Sequence, residues 1–144
     1  MKNFQVQNVG NFSDLNQYVF APEGTPISLE GKLFLGDLLG LSSMEISLNK
    51  NSAGTGMNFF HRHLTHEEVY IFINGKGEMM IDDEILEVKE GSIVKIKPEA
   101  KRSWWNTGDT DLTYLVLQAP EGGMKSPGIE DGELLEGKVP WVKN

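Results

Sequence analysis

The sequence contains no cysteine and no long apolar run. Without cysteine, this chain of 144 residues can form neither a disulfide nor a thiolate ligand, so nitrogen and oxygen atoms must hold any transition metal. No segment approaches the ~18 consecutive apolar residues of a membrane-spanning helix. The N-terminal stretch MKNFQVQNVGNFSDLNQ also lacks the continuous apolar core of a signal peptide. We therefore expect a cytoplasmic protein with no membrane partner.

Basic residues are scarce as well. The chain has 13 basic and 21 acidic residues and a formal net charge of -8. No basic stripe is available to neutralise nucleic-acid phosphates, so nucleic acid is not expected as a partner. A chain of this length has the size of one ordinary domain, and no linker divides it.

Short segments with a period of two dominate what is present. They are rich in β-branched and aromatic residues, and the connections between them are short and carry Gly, Asp or Asn. Such connections suit antiparallel hairpins and are too short for crossover helices. The pattern predicts an all-β sandwich or barrel. The predicted strands are MNFFHRH (57–63), EEVYIFI (67–73), GEMMI (77–81), EILEV (84–88), SIVKIK (92–97) and DLTYLVLQA (111–119).

The two ends of the chain are less regular. Residues 1–55 are predicted to pack on the barrel, with a helical turn around 35–41 and a strand over 44–49. Residues 119–144 are dense in Gly and Pro and are interpreted as a C-terminal extension without a core of its own. We expect one domain overall.

The stretch FHRHLTHEE (60–68) contains all three histidines of the chain and two glutamates. Residues two apart on a strand point to the same face, so His61 and His63 are expected to converge. If the next strand points Tyr70 into the barrel, Glu68 joins them. Two imidazoles and a carboxylate can hold a divalent transition metal and leave positions open for a ligand. The alternative is that His61 and His63 are solvated at a strand end. His66 lies in the turn between the two strands and is interpreted as a solvated loop histidine.

The spacing of these residues resembles a known motif. His61, one residue, His63, four residues, Glu68, six residues and Gly75 is similar to the first motif of the cupin superfamily, and GSIVKIKPEAKRSWWNTGDTDLTYLVL (91–117) is similar to the second. The resemblance implies a cupin-type antiparallel β-barrel, or jelly roll, with its core at 54–118. It also implies one divalent transition metal, Fe, Mn, Ni, Co or Zn, bound by His61, His63 and Glu68.

The second motif departs from the family pattern because it lacks the histidine that serves as fourth ligand. The segment from Pro98 to Asn106 is one residue short. Counting from Pro98 places Ser103 at the ligand position, whereas counting back from Asn106 places Arg102 there. We expect Ser103 to face the metal, since an inward arginine would repel a dication unless an anionic ligand lay between them. Alternatively, His66 or a water completes the set, or Arg102 receives an anionic ligand.

The remaining candidates concern ligand binding and assembly. The residues expected to contact a small-molecule ligand are Tyr70, Phe72, Arg102, Ser103 and Trp104, and no catalytic acid or base outside the metal set is identified. Two functions remain open. One is a metal-dependent isomerase, dioxygenase or decarboxylase acting on a small polar metabolite, and the other is a non-catalytic small-molecule or sugar-binding module with a degenerate metal site. The outward apolar row Val69, Ile71 and Ile73 needs a cover, which predicts a homodimer.

Overall fold

A computed structural model describes residues 2–142. The chain begins with a 3₁₀ helix, Phe12–Gln17, and contains one short α-helix, α1. Ten strands account for most of the regular structure. In chain order the elements are β1 (Val19–Phe20), β2 (Leu29–Glu30), β3 (Lys32–Phe34), α1 (Gly36–Leu39), β4 (Glu45–Asn51), β5 (His66–Asn74), β6 (Lys76–Ile81), β7 (Glu84–Lys89), β8 (Ile93–Ile96), β9 (Arg102–Trp105) and β10 (Leu112–Pro120).

Two sheets enclose the core. One has the strand order β3-β4-β10-β5-β8 and the other β7-β6-β9, and every pairing is antiparallel. The inward side chains of both sheets form one apolar cluster that includes Tyr70, Met79, Trp104 and Tyr114. β1 and β2 form a separate two-stranded ribbon. The arrangement is a jelly-roll barrel and confirms the predicted all-β class.

Five of the six predicted strands are confirmed to within two residues at each end. The turn between β5 and β6 needs a glycine, because Gly75 has a φ of +84° and a Cβ there would collide with the Asp111 carbonyl. The helical turn and the strand predicted near residues 35–49 are also present, as α1 and β4. The alternation of apolar and polar residues and the residue types in the turns were therefore sufficient to predict most strands of the barrel.

The predicted strand 57–63 is wrong. Only two isolated bridges tie this segment to β9, Gly56 to Trp105 and His61 to Arg102. His61 is five residues after Gly56, whereas their partners Arg102 and Trp105 are only three residues apart on β9. The segment therefore has two extra residues that form a bulge, and Phe60 is exposed. Side chains alternate between faces with a period of two, so a bulge of two residues leaves His61 on the same face as Met57. The predicted alternation of faces thus survives the loss of the regular ladder.

Strands β1, β2 and β3 were not predicted. They have two or three residues each, too few to show a period. β3 nevertheless matters, because its pairing with β4 brings Lys32 opposite Asn49. On the outer side of β4, the 3₁₀ helix packs against the strand, and Leu15 in that helix is fully buried.

The expected homodimer stays a prediction. The outward row Val69, Ile71 and Ile73 is half-buried, and Ile93, the partner of Ile71 in the ladder, has 68% of its surface exposed. Residues 121–142 contain no helix or strand, and their side chains are exposed. Within residues 2–142, every helix is too short or too polar to cross a membrane.

Candidate metal centre

Backbone hydrogen bonds fix the segment that carries the two histidines. The His61 N–H donates to the Arg102 carbonyl at 3.1 Å, and the Arg102 N–H donates back to the His61 carbonyl at 2.9 Å. The His63 N–H donates to the Pro98 carbonyl at 2.9 Å. These bonds hold the segment against β9 and point both imidazoles toward β5.

Glu68 on β5 completes the cluster. Its Oε1 lies 3.7 Å from His61 Nε2, and its Oε2 lies 3.3 Å from His63 Nε2. One donor atom from each residue falls within 4.8 Å of the others. Imidazole nitrogens and carboxylate oxygens bind divalent metals at about 2.0–2.2 Å, so three donors at this spacing fit a single ion. The cluster predicted from the sequence could therefore hold a metal.

The surroundings of Glu68 keep it ionised. Burial alone would raise the pKa of this carboxyl group, which is 3% exposed. Hydrogen bonds from His61 and His63, together with electrostatic attraction from the His63 ring and the Arg102 guanidinium, outweigh burial and hold the pKa well below its ordinary value. The Tyr70 hydroxyl also donates to Oε1 at 3.0 Å. Burial, followed by the Glu68 charge, raises the pKa of Tyr70, which keeps the phenol neutral and able to donate.

Arg102 occupies the position that was expected for Ser103. Its guanidinium is fully buried, with Nε 3.2 Å from Glu68 Oε1. The two terminal nitrogens donate to three backbone carbonyls, those of Pro98 at 3.3 Å, Ala100 at 2.7 Å and Lys97 at 3.3 Å. Its terminal nitrogens are engaged by the backbone, and its side chain is fully buried and does not line the cavity, so Arg102 is not positioned to receive a ligand. The expectation that it contacts one is wrong in this geometry.

Ser103 points to the other face of β9. Its hydroxyl donates to the Met57 carbonyl at 2.8 Å, and the residue borders an open apolar groove next to Met80 and Ile85. The expectation that Ser103 faces the metal is therefore wrong. The register is set from the Asn106 end, where the fully buried side chain donates to the carbonyls of Asn51 and Thr110, both at 2.8 Å. Counting back from Asn106 was the correct choice.

The cluster of His61, His63 and Glu68 lies on the wall of an apolar cavity of about 220 Å³ inside the barrel. Tyr70 and Trp104 line this cavity, and their contact with a ligand stays a prediction. Phe72 does not line the cavity, because it is buried deeper, with its ring centroid 5.4 Å from that of Tyr114. The rest of the lining comes from residues 20–34, β4, the segment before β5, and β10: Phe20, Ile27, Leu29, Lys32, Phe34, Ser47, Met57, Phe59, Val116 and Gln118.

Trp104 is held rigidly at the cavity wall. Its indole N–H donates to the Tyr114 hydroxyl at 2.6 Å, and that hydroxyl donates to Asn51 Oδ1 at 2.8 Å. Burial raises the pKa of Tyr114, so its hydroxyl keeps its proton. The Trp104 ring meets the rings of Tyr70 and His61 edge to face, with centroids 5.2 Å and 5.9 Å apart. Trp105 points outward and is 41% exposed.

His66 lies outside the cluster. It begins β5, is half-buried rather than solvated, and its Nδ1 is 2.9 Å from Gln118 Oε1. Its ring stacks on that of His63 with centroids 6.1 Å apart. Among the described residues, the three-residue set His61, His63 and Glu68 is the grouping with ligand spacing. His61 Nδ1 is buried and has no hydrogen-bond partner within residues 2–142, unlike the usual ligand histidine, which donates its second N–H.

Lys32 is the functional candidate that the sequence interpretation missed. Its Nζ reaches the cavity from β3 and donates to Asn49 Oδ1 at 2.8 Å and Ser47 Oγ at 3.2 Å. Burial, opposed in part by Glu68 and Glu45, lowers the pKa of this lysine to about 8. A lysine two residues before Phe34 was the available signal, but a three-residue strand gives no period by which to orient it.

The jelly roll and the cluster of His61, His63 and Glu68 agree with what comparisons to known proteins show. Residues 49–118 match the family model described as the cupin domain. The chain carries a cupin domain. A cupin protein from Bacteroides fragilis is 29% identical, with a TM-score of 0.77, and the match covers 94% of this chain and 100% of that one. The likeness therefore extends well beyond the matched domain.

Two further relatives cover less of the chain. A candidate sugar phosphate isomerase from Acidithiobacillus ferrooxidans is 27% identical with a TM-score of 0.55, over 61% of this chain and 57% of that one. An uncharacterized protein of Methanocaldococcus jannaschii is 36% identical over 76 residues, which are 53% of this chain. The match spans 57% of the length of that curated relative.

Proposed function

We propose that this cupin is a divalent-metal-dependent enzyme acting on a small polar metabolite by isomerisation, oxygenation or decarboxylation. The observation that carries the proposal is the convergence of His61, His63 and Glu68 within 4.8 Å on the wall of an apolar cavity. The cavity volume of about 220 Å³ suits a ligand of a few heavy atoms. The likeness to a candidate sugar phosphate isomerase supports the enzyme class without fixing the reaction.

Each residue has a definite part in this proposal. His61, His63 and Glu68 would hold the ion, which would act as a Lewis acid toward a bound carbonyl, carboxylate or hydroxyl oxygen. Tyr70 and Arg102 orient Glu68 through Oε1, which leaves Oε2 on the His63 side. Trp104 and Tyr70 form apolar walls that limit water near the ligand.

One observation favours a second candidate, a non-catalytic binding module. The Arg102 guanidinium lies 3.2 Å from Glu68, where it competes with a metal for the carboxylate and repels a dication. In that case the cavity holds a small molecule without converting it.

Metal content and turnover distinguish the two functions. We expect protein purified without chelators or a metal-affinity column to contain about one divalent transition metal per chain by elemental analysis. His61→Ala should lose the metal, whereas the control His66→Ala should keep it. Metal-free protein that takes up none of Fe(II), Mn(II), Ni(II) or Zn(II) contradicts the enzyme proposal. Metal uptake without turnover of small sugars, keto acids or catechols favours the binding module.

A further inference from the structure

Within residues 2–142, Lys32 and Lys50 are the two lysines that are not exposed to solvent, and of these only Lys50 has a carboxylate partner. Lys50 and Lys95 form ion pairs with Asp111 and Glu67, each at 3.3 Å. Among residues 2–142, no carboxylate forms an ion pair with Lys32. Its partners are the neutral oxygens of Ser47 and Asn49 and the face of the Phe34 ring, whose centroid lies 4.7 Å from Nζ. A charge withdrawn from water into an apolar cavity without a counter-ion is unfavourable, so the barrel maintains this cation at a cost.

The nearby acids are engaged elsewhere. Glu45 Oε1 accepts the backbone N–H groups of Gly36 at 2.7 Å and Ile46 at 3.0 Å. Glu68 is surrounded by Tyr70, Arg102 and the two histidines. Both carboxylates act on Lys32 only at a distance. The ammonium therefore retains unsatisfied charge toward the cavity that it shares with the metal cluster.

We propose that Lys32 binds the carboxylate of a small ligand whose remaining oxygen atoms face His61, His63 and Glu68. The inference deepens the proposed function and rests on it, because the metal and Lys32 would hold the two ends of one metabolite. The substrate class is then a short hydroxy or keto acid, with the apolar lining of Phe34, Val116 and Trp104 enclosing its carbon chain.

A carboxylate fits this site better than a phosphate does. A phosphate group carries up to two charges and three acceptor oxygens, and proteins meet it with several N–H donors or an arginine. Here the Arg102 guanidinium donates to backbone carbonyls and is not available to a ligand. The cation at the cavity is therefore Lys32, with the Ser47 hydroxyl and the Asn49 amide beside it. The single cation matches a single negative charge.

The test measures the binding of lactate and of its uncharged amide, lactamide, by calorimetry to the full chain at pH 7, both Mn(II)-loaded and metal-free. Lactate should bind wild type, and Lys32→Met should weaken it at least tenfold while leaving lactamide unchanged. Lys32→Arg should restore part of the affinity. The matched control Lys50→Met removes a lysine that pairs with Asp111 and bonds to the 3₁₀ helix, and it should bind lactate as wild type does.

The outcomes separate this inference from the proposed function. Equal lactate affinity in wild type and Lys32→Met, or no lactate binding to wild type in either form, overturns the role of Lys32. Inorganic phosphate binding more tightly than lactate through Lys32 overturns the carboxylate class. If Mn(II) does not bind wild type, the proposed function fails, but Lys32-dependent lactate binding to the metal-free protein still supports the anion site. A purely structural role would alter lactate and lactamide binding equally.

Discussion

Arg102 on β9 and Lys32 on β3 are both inward cations of the barrel, yet their surroundings differ. Arg102 is fully buried, and its guanidinium contacts one carboxylate and three carbonyls. Lys32 is half-buried and contacts two neutral side-chain oxygens at the cavity. A buried cation that lies beside a carboxylate and bonds to backbone carbonyls through its terminal nitrogens is part of the architecture. One that faces a cavity without a counter-ion is available to a ligand.

The largest expected effect is on stability. Arg102→Met leaves Glu68 buried beside a lost counter-charge, and removing one partner of a buried ion pair costs about 3–5 kcal/mol. Lys32→Met makes the same chemical change where no ion pair exists and removes a cation held in the barrel at a cost, so this variant should be at least as stable as wild type at pH 7. Urea unfolding of the metal-free proteins at pH 7 measures both. Equal losses would erase the distinction between the two cations.

The second effect concerns metal affinity. Arg102→His removes the competing cation next to Glu68 and places an imidazole on the face of β9 that His61 and His63 approach. We expect Mn(II) or Zn(II) to bind at least ~10-fold more tightly, since second-shell changes alone alter metal affinity 10–100-fold. Ser103→His, on the opposite face, should leave the affinity unchanged. If titration shows that Ser103→His raises metal affinity and Arg102→His does not, then β9 has the register in which Ser103 faces the cluster.

A third prediction uses the acidity of Lys32. The charged groups that influence its ammonium are Glu68 and Glu45, with His61 and His63 on the same cavity. Its pKa is lowered to about 8, so the ammonium is present below that pH and is lost above it. The lactate dissociation constant of metal-free wild type should therefore rise about tenfold per pH unit above pH 8. Lys32→Arg should show a flat profile to pH 10, and a flat wild-type profile would contradict the assignment.

The last effect is the pH dependence of stability. The pKa of Lys32 is about 8 in the folded state and 10.5 as its ordinary value, so between these values the unfolded chain binds more protons. Stability contributed through this group should thus rise with pH from about 8 to 10.5. The difference in free energy of unfolding between wild type and Lys32→Met isolates the contribution from other titrating groups. A difference that stays constant across this window would place the lysine in a solvated setting.

The sequence by itself determined the barrel and the convergence of His61, His63 and Glu68. Alternation with short hairpins predicted five strands, and the His61, His63 and Glu68 spacing predicted their convergence. Both signals are local, since pleat and turn chemistry act over a few residues. The two-residue bulge before His61 was not visible, but its even length left the face of the histidines as predicted.

Only the tertiary structure decided which cations meet the site. Ser103 and Arg102 were one register step apart, and the buried side chain of Asn106, bonded to Asn51 and Thr110, selected the register that turns Arg102 inward. Lys32 reaches the cavity because β3 pairs with β4, some fifteen residues along the chain, and opens onto residues from β5 and β9. Such contacts join residues far apart in sequence, and no local period encodes them.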